Sequence, residues 1–185
     1  MKLRYLSMAA AAILAASCSP KAPSDPLETA LRAAIAEQVG QDAKITVSNF
    51  ARVDSVTFRQ EIETRRKSFE VKLSQDTKYY ESYSSQGMAK NAKKHADAMA
   101  RTKAILADFG KLEEGLAGRL DEVAYYDCSF SGQAKSEAGT TVFDGFNAVI
   151  TSSGDVKAIQ SDTKGLHRAM GHVIPGYTEL IKGEE

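Results

Sequence analysis

Two cysteines and three histidines are the residues of this chain best suited to covalent or metal chemistry. Cys18 closes the run Leu14-Ala15-Ala16-Ser17-Cys18. Cys128 sits inside the strand-like run Val123-Ala124-Tyr125-Tyr126-Asp127-Cys128-Ser129-Phe130. A thiol reacts as its thiolate, which a positive neighbourhood favours. Asp127 beside Cys128 works the other way and no His flanks it, so Cys128 reads as a small buried apolar side chain. His95 falls on an apolar helical stripe. His167 and His172 lie five apart, whereas two imidazoles share a helix face at a spacing of four, and Gly171 interrupts any helix between them. These histidines read as ordinary surface or packed side chains, with no metal and no cofactor implied. A hydrolase needs a nucleophile, a base and an oxyanion site. No serine lies in a Gly-x-Ser-x-Gly elbow; Ser131 precedes Gly132 in what reads as a strand. Gly110, Gly115 and Gly118 lack the Lys-Ser/Thr ending of a phosphate-cradling loop. Glu113-Glu114 and Glu184-Glu185 read as solvated ends. No catalytic residue emerges.

Two short cationic runs, Arg65-Arg66-Lys67 and Lys90 with Lys93-Lys94, have the composition of a polyanion or headgroup contact. They are interleaved with Glu61, Glu63, Glu70 and Asp97, so the wet faces of two amphipathic helices account for them. Tyr79, Tyr80 and Tyr83 would form a carbohydrate or protein contact patch if exposed. Helical tyrosines at this density anchor packing, and at least one of them is expected in the core.

The elements that position these residues begin with the amino terminus. Lys2 and Arg4 precede an uncharged core from Leu6 to Ala16, too short for the roughly 20 apolar residues a bilayer span requires. That is the layout of a secretory signal peptide. With Cys18 at its end, the stretch resembles a bacterial lipoprotein lipobox, in which cleavage before the Cys makes it the lipidated amino terminus. Ala16 and Ser17 fit that pattern, while Ala15 stands where Leu is usual. Ala15 and Ser17 also satisfy the small-x-small rule of ordinary signal peptidase at the same bond. Cys18 is therefore either acylated, or a free thiol on an exported protein that could pair with Cys128. Three of the four prolines follow in Ser19-Pro20-Lys21-Ala22-Pro23-Ser24-Asp25-Pro26. Such a segment favours an extended spacer, which a lipid anchor needs and a soluble protein does not. The resemblance implies lipid attachment at Cys18 and, in a Gram-negative host, outer-membrane sorting, since Ser19 rather than Asp follows the Cys. The body is loosely similar to small envelope lipoproteins of Gram-negative bacteria.

Cleavage would leave about 165 residues, enough for one domain with a real core. The chain holds 24 basic and 24 acidic residues, and loss of Lys2 and Arg4 makes the mature form slightly acidic. Without a basic excess, nucleic acid is not an expected partner. The organisation expected is a signal over 1–17, a lipidated Cys and tether over 18–26, and a single α+β domain over 27–185.

Within that domain Asp25, Pro26 and Glu28 form a capping-box-like helix start. Leu27, Leu31, Ile35 and Val39 make one apolar stripe, ended by Gly40. Residues 43–53 alternate as a strand, with Asn49 and Phe50 out of phase, which signals a bulge or two partly covered faces. No Gly, Pro or Asn occurs between Asp54 and Gln86, so residues 55–85 read as one long helix rather than a hairpin. A second long helix spans about 88–117, antiparallel to the first across Gly87. Then come three strands in an antiparallel meander: one from Val123, one over 140–150 with Val142, Phe146, Ala148 and Ile150 on one face, and one over 156–160. A tail of short helical pieces, broken at Gly171 and Pro175, closes the chain.

The function expected is that of a lipid-anchored, non-enzymatic binding or structural module of the cell envelope, its partners a membrane through the anchor and an envelope protein or glycan. The alternatives are an envelope hydrolase whose site assembles only in the fold, and a soluble periplasmic protein with a Cys18–Cys128 disulfide.

Overall fold

The structure, a computed structural model, describes residues 25–161 and 163–182. The signal, Cys18, most of the Pro-rich tether and Glu184-Glu185 lie outside the described residues. The element order is α1 (Pro26–Val39), β1 (Lys44–Thr57), α2 (Phe58–Ser85), α3 (Ala89–Gly115), β2 (Val123–Ser136), β3 (Gly139–Thr151), β4 (Val156–Gln160), α4 (Thr163–Gly171) and α5 (Tyr177–Leu180). This is an α+β domain around one antiparallel sheet. The sheet has four strands in the order β1-β2-β3-β4. β1, for which the sequence assigned no pairing, pairs along β2 from Lys44↔Lys135 to Thr57↔Val123 and extends the three-stranded meander by one. It leads into α2 without a loop, because Thr57 ends the strand and caps the helix. Thr57 Oγ1 accepts from the Gln60 N–H at 3.3 Å, and the Gln60 side chain accepts from the Thr57 N–H at 2.9 Å. This capping box replaces the one expected at Asp25, where the carboxylate instead accepts from the Leu27 N–H and Glu28 pairs with Arg32.

Both faces of the sheet are covered. Leu27, Leu31 and Ile35 of α1 pack with Cys128, Phe130, Phe143, Ala148 and Ile150. On the other face Phe58 and Ile62 of α2, Ile105, Phe109 and Leu112 of α3, and Leu166, Ile174 and Tyr177 of the tail pack with Tyr125 and Val149.

Bulges decide which side chain faces which layer. On β1 the register slips between Ser48 and Ala51, where Asn49 adopts φ 53°, and again around Val53, which is left exposed. The first slip is the bulge expected at Asn49-Phe50. On β3, Phe130↔Phe146 is followed by Gly132↔Phe143, so Asp144 and Gly145 form an extra loop of backbone, with Gly145 at φ 61°. The parity of the strand inverts there. Phe143 is buried in place of Val142, which is 65% exposed and does not join Phe146, Ala148 and Ile150.

The helical hairpin is asymmetric along its length. Phe58, Glu61, Ile62 and Arg65, all in the first two turns of α2, are its only buried residues. At 1.5 Å per residue the 28-residue helix is about 42 Å long. Its distal half, with the facing half of α3, therefore projects past the sheet as an arm.

A buried Glu-Arg-Tyr network and its cationic cleft

Where α2 crosses the sheet it buries a glutamate and an arginine one turn apart. Glu61 is 2% exposed and Arg65 4%. Arg65 Nε donates to Glu61 Oε1, and the Tyr125 hydroxyl of β2 donates to Glu61 Oε2 at 2.8 Å. Arg65 also donates through Nη2 to the His167 carbonyl and through Nη1 to His167 Nδ1 at 3.0 Å, tying α2 to α4. Tyr177 presents its ring to the guanidinium at 5.8 Å. A buried ion pair is tolerable when its remaining donors and acceptors are satisfied, as here.

The chemistry of each group follows. Arginine only donates, so His167 Nδ1 must accept, and the imidazole is neutral with its proton on Nε2. Burial first, and then the Arg65 charge, hold His167 below its ordinary pKa. Burial and the Glu61 carboxylate hold the Tyr125 phenol far above its ordinary range, so it serves only as a donor. Gly171 makes room for this arrangement. A Cβ there would meet Tyr177 Cε1 at 2.7 Å and Arg65 Nε at 3.1 Å.

Two clefts open from the network. One, of about 290 Å³, is lined by Asp54, Gln60, Glu61, Thr64, Arg65, Tyr125 and His167 among others. Beside it, Asp127 is the register partner of Asp54. Burial, and then the Asp54 charge, push the Asp127 carboxyl up, and its Oδ1 is buried without a hydrogen-bond partner among the described residues. The other cleft, of about 300 Å³, lies on the far side of Arg65 between α2, α4 and α5. Its walls carry Arg65, Lys72, Lys164, His167 and Arg168 over Phe69, Tyr177 and Ile181, with no carboxylate among the described lining residues.

The sequence pointed to Arg65-Arg66-Lys67 as one solvated cationic face. The structure divides it. Arg65 is buried, Arg66 reaches Glu113 of α3 at 2.8 Å, and Lys67 is exposed. Glu113 is correspondingly half-buried and paired rather than a free solvated end. Of the second run, Lys93 pairs with Asp97 at 2.8 Å on the arm's surface. The histidines do not converge. His167 belongs to the network, His172 bonds Thr178, and His95 lies on the arm. There His95 bonds Asp76 at 2.8 Å and packs against the rings of both Tyr79 and Tyr83. Tyr79 and Tyr80 are exposed and Tyr83 is half-buried, so none of the three enters the core as expected; α2 has outrun the sheet by that point. Among the described residues no group of three or more His, Cys, Asp or Glu is placed to hold a metal ion. Cys128 is fully buried against α1, and burial, then Asp127, push its thiol up to about 11. Cys18 lies outside the described residues.

Sequence reasoning missed Glu61–Arg65 as a unit. The i,i+4 spacing was visible, but the same spacing occurs on any wet helix, and only the sheet and α4 bury it. The partners Tyr125 and His167, 64 and 102 residues away, carry no local signal. Comparison with protein families, with curated proteins and with solved structures finds no match to this chain.

Proposed function

We propose that this chain is a lipid-anchored lipoprotein of the cell envelope that acts as a non-enzymatic binding module. The observation that carries the reading is the order of features at the amino terminus: a short charged segment, an apolar core, Cys18, and a Pro-rich spacer running to the cap of α1. Acylation of Cys18 would hold the domain at a membrane, since affinity grows by ~0.8 kcal/mol per buried CH₂. The spacer would let the domain stand off the surface and present the α2–α4 face and the helical arm to an envelope partner. Among the described residues no helix is long and apolar enough to cross a membrane. The test is Cys18→Ala in the full chain. The variant should leave the membrane fraction and lose the acyl mass seen in the intact wild type. Continued fractionation with membranes defeats the anchor.

A second reading, an envelope hydrolase, is favoured by one observation. Asp127, with its raised pKa and unpartnered oxygen, stands beside Asp54 at the edge of a cleft that also holds His167. Two neighbouring carboxyls, one of them held above its ordinary range by burial, are the residue types of general acid–base chemistry. This reading requires that the purified full chain turn over model esters or glycosides and that Asp127→Asn abolish turnover. An inactive wild type, or equal activity in the variant, sinks it.

A further inference from the structure

We infer that the cleft between α2, α4 and α5 is a binding site for a phosphate group carried on a small apolar body. The inference deepens the binding-module reading by naming the ligand class, and it does not depend on the Cys18 anchor.

Charge is the first argument. Arg65, Lys72, Lys164 and Arg168 converge on one cleft of about 300 Å³, and none of its described lining residues is acidic. Glu61 neutralises Arg65 from behind, in the core. Lys164 and Arg168 are exposed and make no ion pair with any described residue, whereas Arg32, Arg65, Arg66 and Lys93 each have a carboxylate within reach. They stand four apart on α4, the spacing at which like charges on a helix repel. Lys164 also occupies the first turn, at the positive end of the helix dipole. Both placements cost stability in the empty protein, and an anion in the cleft relieves both.

The second argument is shape and valence. A carboxylate brings one charge. A phosphomonoester brings about −1.5 to −2 and three acceptor oxygens, which match several cations converging from two helices. The neutral His167 keeps an Nε2–H donor, because its Nδ1 is spent on Arg65. Beneath the cations lie Phe69, Tyr177 and Ile181, an apolar floor that a bare inorganic ion would leave uncovered. A phosphate on an organic body uses both halves. Such a ligand exists as a lipid headgroup or as a soluble phosphate ester, and the experiment separates the two.

The full wild-type chain, held in nonionic detergent, is titrated calorimetrically with glycerol 3-phosphate, with dihexanoyl phosphatidate and with dihexanoyl phosphatidylcholine. One of the two phosphomonoesters should bind, with affinity that falls as salt rises, and the zwitterionic lipid should not. Binding of phosphatidate alone assigns a lipid source; binding of glycerol 3-phosphate assigns a soluble one. Lys164→Ala/Arg168→Ala should weaken binding at least tenfold, while Lys90→Ala/Lys94→Ala, the same charge change on the arm, should not. Both pairs are exposed, so folding is expected to survive and is checked by circular dichroism. Without ligand, the α4 double variant should melt no lower than wild type. The proposal is overturned if neither phosphomonoester binds, if phosphatidylcholine binds equally well, or if the α4 and arm variants weaken binding alike. Membrane release of Cys18→Ala is scored separately, so the failure of one reading is distinguishable from the failure of the other.

Discussion

Arg65 connects three helices through one guanidinium: Glu61 on its own helix, His167 on α4 and the ring of Tyr177 on α5. Removing one partner strands the other charge in the core, so Arg65→Ala or Glu61→Ala should each cost about 3 kcal/mol. The paired change Glu61→Leu/Arg65→Met should recover most of that loss, because the charges disappear together. Urea unfolding of the three variants measures the difference. His167 gives the network a pH dependence. Its folded pKa is depressed, so its contribution is complete above the unfolded value near 6.5 and is lost as pH falls through the lower folded value. A protonated Nδ1 would turn a donor toward the guanidinium. Stability measured from pH 7.5 down to pH 5 should therefore fall more steeply in wild type than in His167→Gln, whose amide oxygen can still accept from Arg65. Equal slopes would show that the histidine does not titrate against the fold. At this scale the sequence was a partial guide. It marked Cys128 as buried and its thiol as raised by Asp127, both from immediate neighbours. It spread Arg65, Arg66 and Lys67 over one wet face, because charge type alone does not say which side chain a distant strand will cover.

Among the elements, Gly132 and Gly171 each hold a close approach that a methyl group would close. A Cβ on Gly132 of β2 would fall inside the van der Waals shell of the Thr46 carbonyl oxygen on β1. On Gly171 it would meet two side chains, Tyr177 and Arg65. Backbone yields less than side chains do. Gly132→Ala should therefore cost about 3 kcal/mol and Gly171→Ala about 2 kcal/mol, overpacking losses readable as a drop in melting temperature. The helices were legible in the sequence because their signals are local: the four-residue apolar stripe of α1, the unbroken run after Asp54, and Gly87, which at φ 70° turns α2 into α3. The faces of β1 and β3 were harder. Each bulge inserts backbone that inverts the alternation, and Asp144-Gly145 carries no apolar mark to show where the phase changes. Val142 thus read as core while Phe143 took its place.

As a whole, the molecule is a covered sheet with an arm. Stability should be distributed accordingly, since local opening follows from sparse burial. Backbone amides of residues 71–100 should exchange faster than those of residues 58–66 and 102–112 in the same two helices, by at least tenfold, in native-state hydrogen exchange. Uniform protection along α2 would mean that the arm packs against something in solution, and Tyr79, Tyr80 and Met88 are the exposed side chains that would meet it.

The sequence by itself determined the α+β class and the helical hairpin, left a bulge as one of two readings of Asn49-Phe50, and supplies the proposal of a lipid anchor at Cys18. All rest on contiguous residues: apolar period, turn chemistry, and a leader that ends in a Cys. Only the tertiary structure decided that β1 joins the meander as a fourth strand, that Glu61 and Arg65 are buried and bonded to Tyr125 and His167, and that Lys164 and Arg168 of the tail face Arg65 and Lys72 across one cleft. The physical reason is the same in each case. Pairing a strand, burying a charge and concentrating cations are contacts between segments far apart in the chain, and the energy that selects them exists only once the segments meet.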